Sequence, residues 1–374
     1  MLLRLLIAIF VISNYVPVIA QNDTLKQKPL RVVVVGLVHD HVGWILGYQK
    51  KNVIEIVGIA ESNRSLAEKY SKRYGYSMSI VHNTMEEAIE KTKPVAVLGF
   101  NNIYEHLRVV EYCAPRGIHV MVEKPLAVSN EHATKMLALA RKHNIYLLTN
   151  YETTWYGSNV KAYQIIKEEK LIGDIRKIVF NTGHRGPVEI GCSPEFLQWL
   201  TDPVLNGGGA LTDFGCYGAD LATWLMNGET PLTVTAVTQQ IKPEIYPKVD
   251  DEATIILTYK KAQVIIQASW NWPFGRKDMQ VYGKNGYVLC KDGTNMQVKE
   301  DEKKEAQTLT ASPLSNDRND PFVYFANVIR GNINMNMYDL SSPATNDIVI
   351  KILDAAKQSS KTGKTINWNE YYKK

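Results

Sequence analysis

The chain of 374 residues is 45% hydrophobic and 22% charged, carries a formal net charge of +5 and contains four cysteines. That length buries a large core and suits two domains, while a mild positive excess interspersed with acids argues against a nucleic-acid partner. Cys113, Cys192, Cys216 and Cys290 include no Cys-x-x-Cys pair, so reduced, buried thiols and no metal site are expected.

Residues 1–20 hold one arginine, Arg4, an apolar run from Leu5 to Ile12, and a small-residue stretch ending at Ala20. This is the pattern of a cleavable secretory signal peptide, with an apolar core too short for a comfortable membrane span. An uncleaved anchor is the alternative reading. Export to the periplasm is expected, with a loose polar leader over 21–30 and no membrane insertion after cleavage.

From Arg31 onward, β-branched runs alternate with helical patterns. Arg31–Val35 ends on Gly36, Ile54–Ala60 ends before Glu61, Ala96–Gly99 follows, and Ile118–Val122 runs into Glu123-Lys124-Pro125. Such βα repeats specify a doubly wound parallel sheet, a Rossmann domain over residues 31–150, with ligands at the carboxyl ends of its strands. A lysine buried there is expected to lose its proton more readily than in water, as a general acid/base on a hydroxyl or carbonyl does.

The turn after the first strand reads Gly36-Leu37-Val38-His39-Asp40-His41-Val42-Gly43. Gly36 suits a dinucleotide turn, but Val38 replaces the second glycine and the third is displaced. Asp40 repels a pyrophosphate unless it turns away or caps a helix, and His39 or His41 offers a compensating donor; all three also fit a plain helix start. Glu61 stands where a ribose hydroxyl is read, which favours NAD over NADP. Arg64 nearby leaves a case for NADP.

Residues 151–374 have another character. Lys177–Asn181, Thr233–Val237, Thr254–Thr258 and Gln263–Gln267 alternate apolar and polar positions and are joined by tight turns, the signature of an open-faced, mostly antiparallel sheet in an α+β domain. A helix over Ala344–Ser360 is expected to pack back on the body. Gly207-Gly208-Gly209 opens a helix bearing Asp213, Tyr217 and Asp220 at spacings of four and three, which places them on one face. With Lys124 they make a proton-relay set in which the lysine lowers the tyrosine's pKa. Trp155, Trp199, Trp270 and Trp272 are candidate stacking surfaces for a sugar ring.

Taken together, Gly36 with Glu61, Glu105-His106, Gly117-Ile118-His119-Val120, Glu123-Lys124-Pro125 and Gly207-Gly208-Gly209-Ala210-Leu211 with Asp213, Gly215, Tyr217 and Asp220 resemble the glucose–fructose oxidoreductase / inositol dehydrogenase / rhizopine-catabolism (Gfo/Idh/MocA) family, over roughly residues 30 to 365. The resemblance implies hydride transfer between NAD(P) and a carbinol carbon of a sugar, polyol or glycoside. It implies catalytic roles for Lys124, Asp213 and Tyr217, the last in place of the histidine found in many members. Cofactor contacts are implied for Gly36, Val38, His39, His41, Glu61, Asn101, His106, Glu123 and Lys124. Substrate contacts are implied for Tyr151, Trp155, His184, Arg185, Asp213 and Tyr217. Asn101-Asn102-Ile103 and Thr154 depart from the family pattern. A homodimer or homotetramer is expected. Two other functions share these residues: an NAD-dependent glycosidase working by transient oxidation and elimination, and a sugar-binding protein without chemistry.

Overall fold

A computed structural model describes residues 28–50 and 52–372; the expected signal peptide lies outside these described residues. Six parallel strands form the first sheet: β1 (Leu30–Val35), β2 (Ile54–Ala60), β3 (Val81–His82), β4 (Ala96–Gly99), β5 (His119–Glu123) and β6 (Leu147–Asn150), in the order β3-β2-β1-β4-β5-β6. Helices α1 (Val42–Leu46), α2 (Arg64–Tyr74), α3 (Met85–Thr92), α4 (His106–Cys113) and α5 (Asn130–Lys142) connect them. Asn63, Thr84 and Ser129 start α2, α3 and α5 by accepting a main-chain N–H from the first turn.

Alternation along β1 divides the packing. Val32 and Val34 face α1 and α2; Val33 and Val35 face the core that runs on into the second domain. Strand order reverses between β1 and β4, and a crevice opens at that point.

The second sheet has nine strands: β7 (Ile175–Gly183), β8 (Thr233–Gln239), β9 (Glu252–Thr258), β10 (Gln263–Ser269), β11 (Arg276–Gly283), β12 (Tyr287–Cys290), β13 (Asn295–Lys299), β14 (Gln307–Thr310) and β15 (Ile366–Asn367). All neighbours pair antiparallel except β10 with β7. The α-helices of this half are α6 (Gly157–Tyr163), α7 (Pro194–Leu200), α8 (Ala210–Asp213), α9 (Gly215–Leu225), α10 (Pro321–Ile329), α11 (Pro343–Thr362) and α12 (Trp368–Tyr372). Helices α9 and α11 cover one face of the sheet, and the alternating burial of β8, β9 and β10 leaves the other face partly open. Helix α10 departs from the expected division of the chain: Phe322, Phe325 and Val328 pack on the first sheet's β1 side.

Candidate active site

Lys124 follows β5 and is only 6% exposed. Its ammonium donates to the main-chain oxygen of Asp213 at 3.0 Å and to the carboxylate of the same residue. The other carboxylate oxygen, Oδ2, accepts from Trp270 Nε1 at 3.0 Å. The peptide oxygen has no helical N–H partner, because α8 and α9 are two helices where spacing suggested one, and besides the lysine it accepts the Cys216 thiol at 3.2 Å. Phe214 interrupts them, and the Tyr217 N–H donates to Phe214 O at 3.2 Å in place of Asp213 O. The glycines before α8 permit this layout: a Cβ on Gly209 would lie 1.8 Å from Asp250 O, and the Asp250 carboxylate accepts from the N–H groups of Gly209 and Leu211.

Burial alone would raise the Asp213 carboxyl and lower the Lys124 ammonium, but the opposite charge of each partner outweighs it. Asp213 is held below the usual carboxylate range and Lys124 above the usual lysine value. The expectation of a readily deprotonated lysine is thereby overturned. Lys124 is a fixed ammonium donor.

The ring of Tyr217 lies 5.1 Å from the Lys124 ammonium and 5.0 Å from that of Lys277. Its phenol is nonetheless pushed well above the ordinary value, first by burial and then by Glu152, so the lysine does not lower it as expected. Lys277 is ion-paired with Glu152, whose Oε1 accepts from the Tyr156 hydroxyl at 2.6 Å. Glu152, Lys277, His184 and Phe214 line a cavity of about 800 Å³. His184 Nδ1 accepts the Gly186 N–H at 3.0 Å, which puts the proton of the neutral ring on Nε2; burial brings its pKa down to about 4.

The crevice between β1 and β4 holds about 360 Å³ and is lined by Gly36, Val38, Glu61 and Asn101 among others. Gly36 has φ +80°, and a Cβ there would lie 2.7 Å from the Asn101 Cα. Glu61 accepts from the N–H groups of Leu37 at 2.9 Å and Asn63 at 2.8 Å, and Asn101 Oδ1 is buried without a partner. Close backbone approach, a carboxylate and an unsatisfied amide oxygen fit the sugar end of a dinucleotide.

Beyond Val38 the turn belongs to the protein itself. Trp199 Nε1 donates to Val38 O at 3.2 Å, and His39 packs edge-on against Phe196 at 4.9 Å. Asp40 turns away, its carboxylate accepting the hydroxyl and N–H of Ser193, which begins α7. His39 is fully buried and not open to a phosphate, contrary to expectation. His41 Nδ1 meets Glu123 Oε2 at 3.0 Å and its ring stacks on Trp44 at 4.0 Å. Glu123 Oε1 takes the Asn150 amide at 2.7 Å, so this buried carboxylate is engaged within the protein and positions His41. His106, also expected at the cofactor, is fully buried; its Nδ1–H donates to Leu126 O at 3.1 Å and pins the turn after Lys124. His39, His41 and Glu123 offer three ligand atoms within 4.8 Å of one another. His39 Nδ1, however, accepts the His41 N–H at 3.1 Å, so Nε2 bears the proton and has no lone pair for a metal.

Three residues expected at the substrate have other surroundings. Tyr151 is fully buried with its hydroxyl on Asn346 at 3.0 Å, a packing residue between β6 and α11. Trp155 donates to Asn150 Oδ1 at 2.9 Å and lines a separate cavity of about 580 Å³. Arg185 is exposed and gives only its carbonyl, to Lys242. Asp220, expected on the same stripe as Tyr217, is fully buried with neither oxygen bonded, and burial raises its pKa well above the usual value. Glu152 and Lys277 were not anticipated. Lys277 sits in Arg276-Lys277-Asp278, which reads as a solvated strand end until β11 is registered against β7, opposite Thr182.

Among similar proteins, trans-1,2-dihydrobenzene-1,2-diol dehydrogenase of Xenopus tropicalis is 28% identical over 218 residues, 58% of this chain and 61% of that relative. D-glucoside 3-dehydrogenase of Escherichia coli (strain K12) is 28% identical over 221 residues, 58% of this chain. The match therefore spans 61% and 59% of these relatives' own lengths. The crystal structure of aldose–aldose oxidoreductase from Caulobacter crescentus complexed with glycerol superposes with a TM-score of 0.76 at 18% identity, covering 91% of this chain and 100% of that one; this likeness is one of fold. Residues 30–151 match the oxidoreductase family model with the NAD-binding Rossmann fold, and residues 160–289 match the Gfo/Idh/MocA C-terminal domain. With both halves of one family matched in sequence order over more than half its length, the chain belongs to the Gfo/Idh/MocA oxidoreductase family.

Proposed function

We propose that this protein is an NAD-dependent oxidoreductase acting on a secondary hydroxyl of a sugar, polyol or glycoside. The observation that carries the reading is the meeting of Lys124, Asp213 and Tyr217 at the carboxyl end of β5, with the Tyr217 ring 5.0 Å from Lys277, which lines the 800 Å³ cavity. The names of the relatives, a diol dehydrogenase and a glucoside dehydrogenase, support it. When bound, NAD supplies the hydride acceptor; Gly36, Glu61 and Asn101 would hold it, and the Glu61 carboxylate disfavours a 2′-phosphate. Lys124 holds the reacting oxygen by its ammonium. Asp213 keeps that ammonium charged and aimed. Tyr217, kept protonated by its burial, gives its proton to the reacting oxygen in the carbonyl-reducing direction, and His184 Nε2–H is a further donor in the cavity. We also propose export, from the leader at 1–20, and self-association through the open sheet face, where Val237 and Tyr282 are exposed.

The test is NADH formation by the purified protein with a panel of sugars, glycosides and cyclic polyols, together with mass spectrometry of any nucleotide released on denaturation. Reduction of NAD with one of these alcohols is the expected result. Absence of both turnover and nucleotide binding would leave only a sugar-binding role. Free sugar released with no net NADH would assign the glycosidase reaction instead.

A further inference from the structure

We infer that Lys277 and Glu152 form a second binding point in the cavity, one that takes a hydroxyl next to the one being oxidised and so selects a vicinal diol over a lone alcohol. The inference rests on the oxidoreductase reading above and deepens it.

Tyr217 is flanked by two ammonium groups at matching distances, 5.1 Å for Lys124 and 5.0 Å for Lys277, and each ammonium has its own carboxylate. The two pairs differ in exposure. The side chains of Lys124 and Asp213 are each 7% exposed; in both carboxylates each oxygen accepts one hydrogen bond, Asp213 from Lys124 and Trp270, Glu152 from Lys277 and Tyr156. Lys277 and Glu152 keep 21% and 31% of their side chains exposed, and both line the cavity.

A hydroxyl group donates one hydrogen bond and accepts others. An ammonium beside a carboxylate offers both complements at one place, which neither residue offers alone. Lys277 has two N–H donors beyond the one directed at Glu152. Glu152 is steadied by Tyr156, so it need not collapse onto the lysine. Glu152 comes from the turn after the last Rossmann strand and Lys277 from β11, so the point exists only where the two domains meet. The ammonium groups lie 5.1 and 5.0 Å from one aromatic ring, and on this inference Lys124 takes the reacting oxygen and Lys277 its neighbour.

The experiment compares trans-cyclohexane-1,2-diol with cyclohexanol as substrates of the full chain with NAD. The wild type is expected to prefer the diol by roughly 10- to 100-fold in kcat/KM, the size expected for one hydrogen bond to a charged group. Lys277→Met should raise KM for the diol with little change in kcat, leave cyclohexanol unaffected and bring the ratio towards one; Lys277→Arg should restore part of it. Equal losses on both alcohols, or an unchanged ratio, would overturn the inference. Should Lys277→Met not fold, Glu152→Gln, close in shape and still an acceptor for Tyr156, must show the same fall in ratio, and an unchanged ratio there overturns the inference equally. A wild type that oxidises sugars yet neither cyclohexane alcohol ends this inference alone, whereas one that oxidises nothing ends the oxidoreductase reading with it.

Discussion

The Lys124 ammonium holds Asp213 by two different oxygens, one from the peptide and one from the carboxylate, across a separation of 89 residues. The contact joins the end of a Rossmann strand to the helix pair of the second domain. Both charges are withdrawn from water, so neither residue tolerates the loss of the other.

Replacing Lys124 with Met should lower kcat/KM by roughly 10²- to 10⁴-fold and destabilise the fold by about 3–5 kcal/mol, because a buried carboxylate is left unpaired. The double variant Lys124→Met/Asp213→Asn should recover part of that stability while remaining inactive. Urea denaturation of the single and double variants measures the coupling, and strictly additive losses would contradict a buried ion pair.

His106 makes the fold sensitive to mild acid. Burial lowers its pKa to about 4, against about 6.5 for an unfolded chain. Between those values the unfolded chain takes up a proton that the folded one refuses, so stability falls as pH drops through that window, by about 1.4 kcal/mol per pH unit for one such histidine. His184, shifted the same way, adds to the slope. His106→Gln should flatten the dependence of the urea midpoint between pH 6.5 and 4; an unchanged slope would remove His106 from the account.

Gly36→Ala should weaken NAD binding and destabilise the fold by about 1–3 kcal/mol, because the added carbon meets backbone at 2.7 Å in a left-handed conformation. Gly75→Ala is the control: its φ of +76° is similar, but nothing lies within 4 Å. Comparable losses in the two variants would mean that conformation, and not the approach of Asn101, sets the requirement at Gly36.

Glu61→Ala should reduce affinity for NAD by roughly 10- to 100-fold and reduce that for NADP less, which narrows the preference between them. Fluorescence titration with each nucleotide reads both constants. Equal losses for the two would show that Glu61 serves only the Leu37 and Asn63 N–H groups it already accepts from.

Much of this was legible in the chain. Valine-rich β1 and the run from His119 to Glu123 could only be buried strands, and Glu-Lys-Pro with the triple glycine placed Lys124 and Asp213 before any coordinates. Side-chain commitments were less visible. His39, Glu123 and His106 had the right chemistry for a cofactor, yet each is occupied by a partner that local sequence does not reveal: Phe196, Asn150 and Leu126. Lys277 was hidden for the opposite reason. Its strand opens with three consecutive charged residues, and only the register with β7 decides which of them turns inward. The protonation states of Lys124 and Tyr217 were misjudged because burial and a partner's charge pull in opposite directions, and three-dimensional proximity decides the winner.

The interruption at Phe214 has a lasting effect on how this centre can vary. Half of the lysine's anchorage is main chain, so that half persists whatever amino acid stands at position 213, while the carboxylate is still needed to balance the buried ammonium. What cannot be changed freely is the irregularity itself: a residue at 214 that let the two short helices fuse would reclaim the oxygen for the helix and disarm the centre without touching any of its reactive side chains.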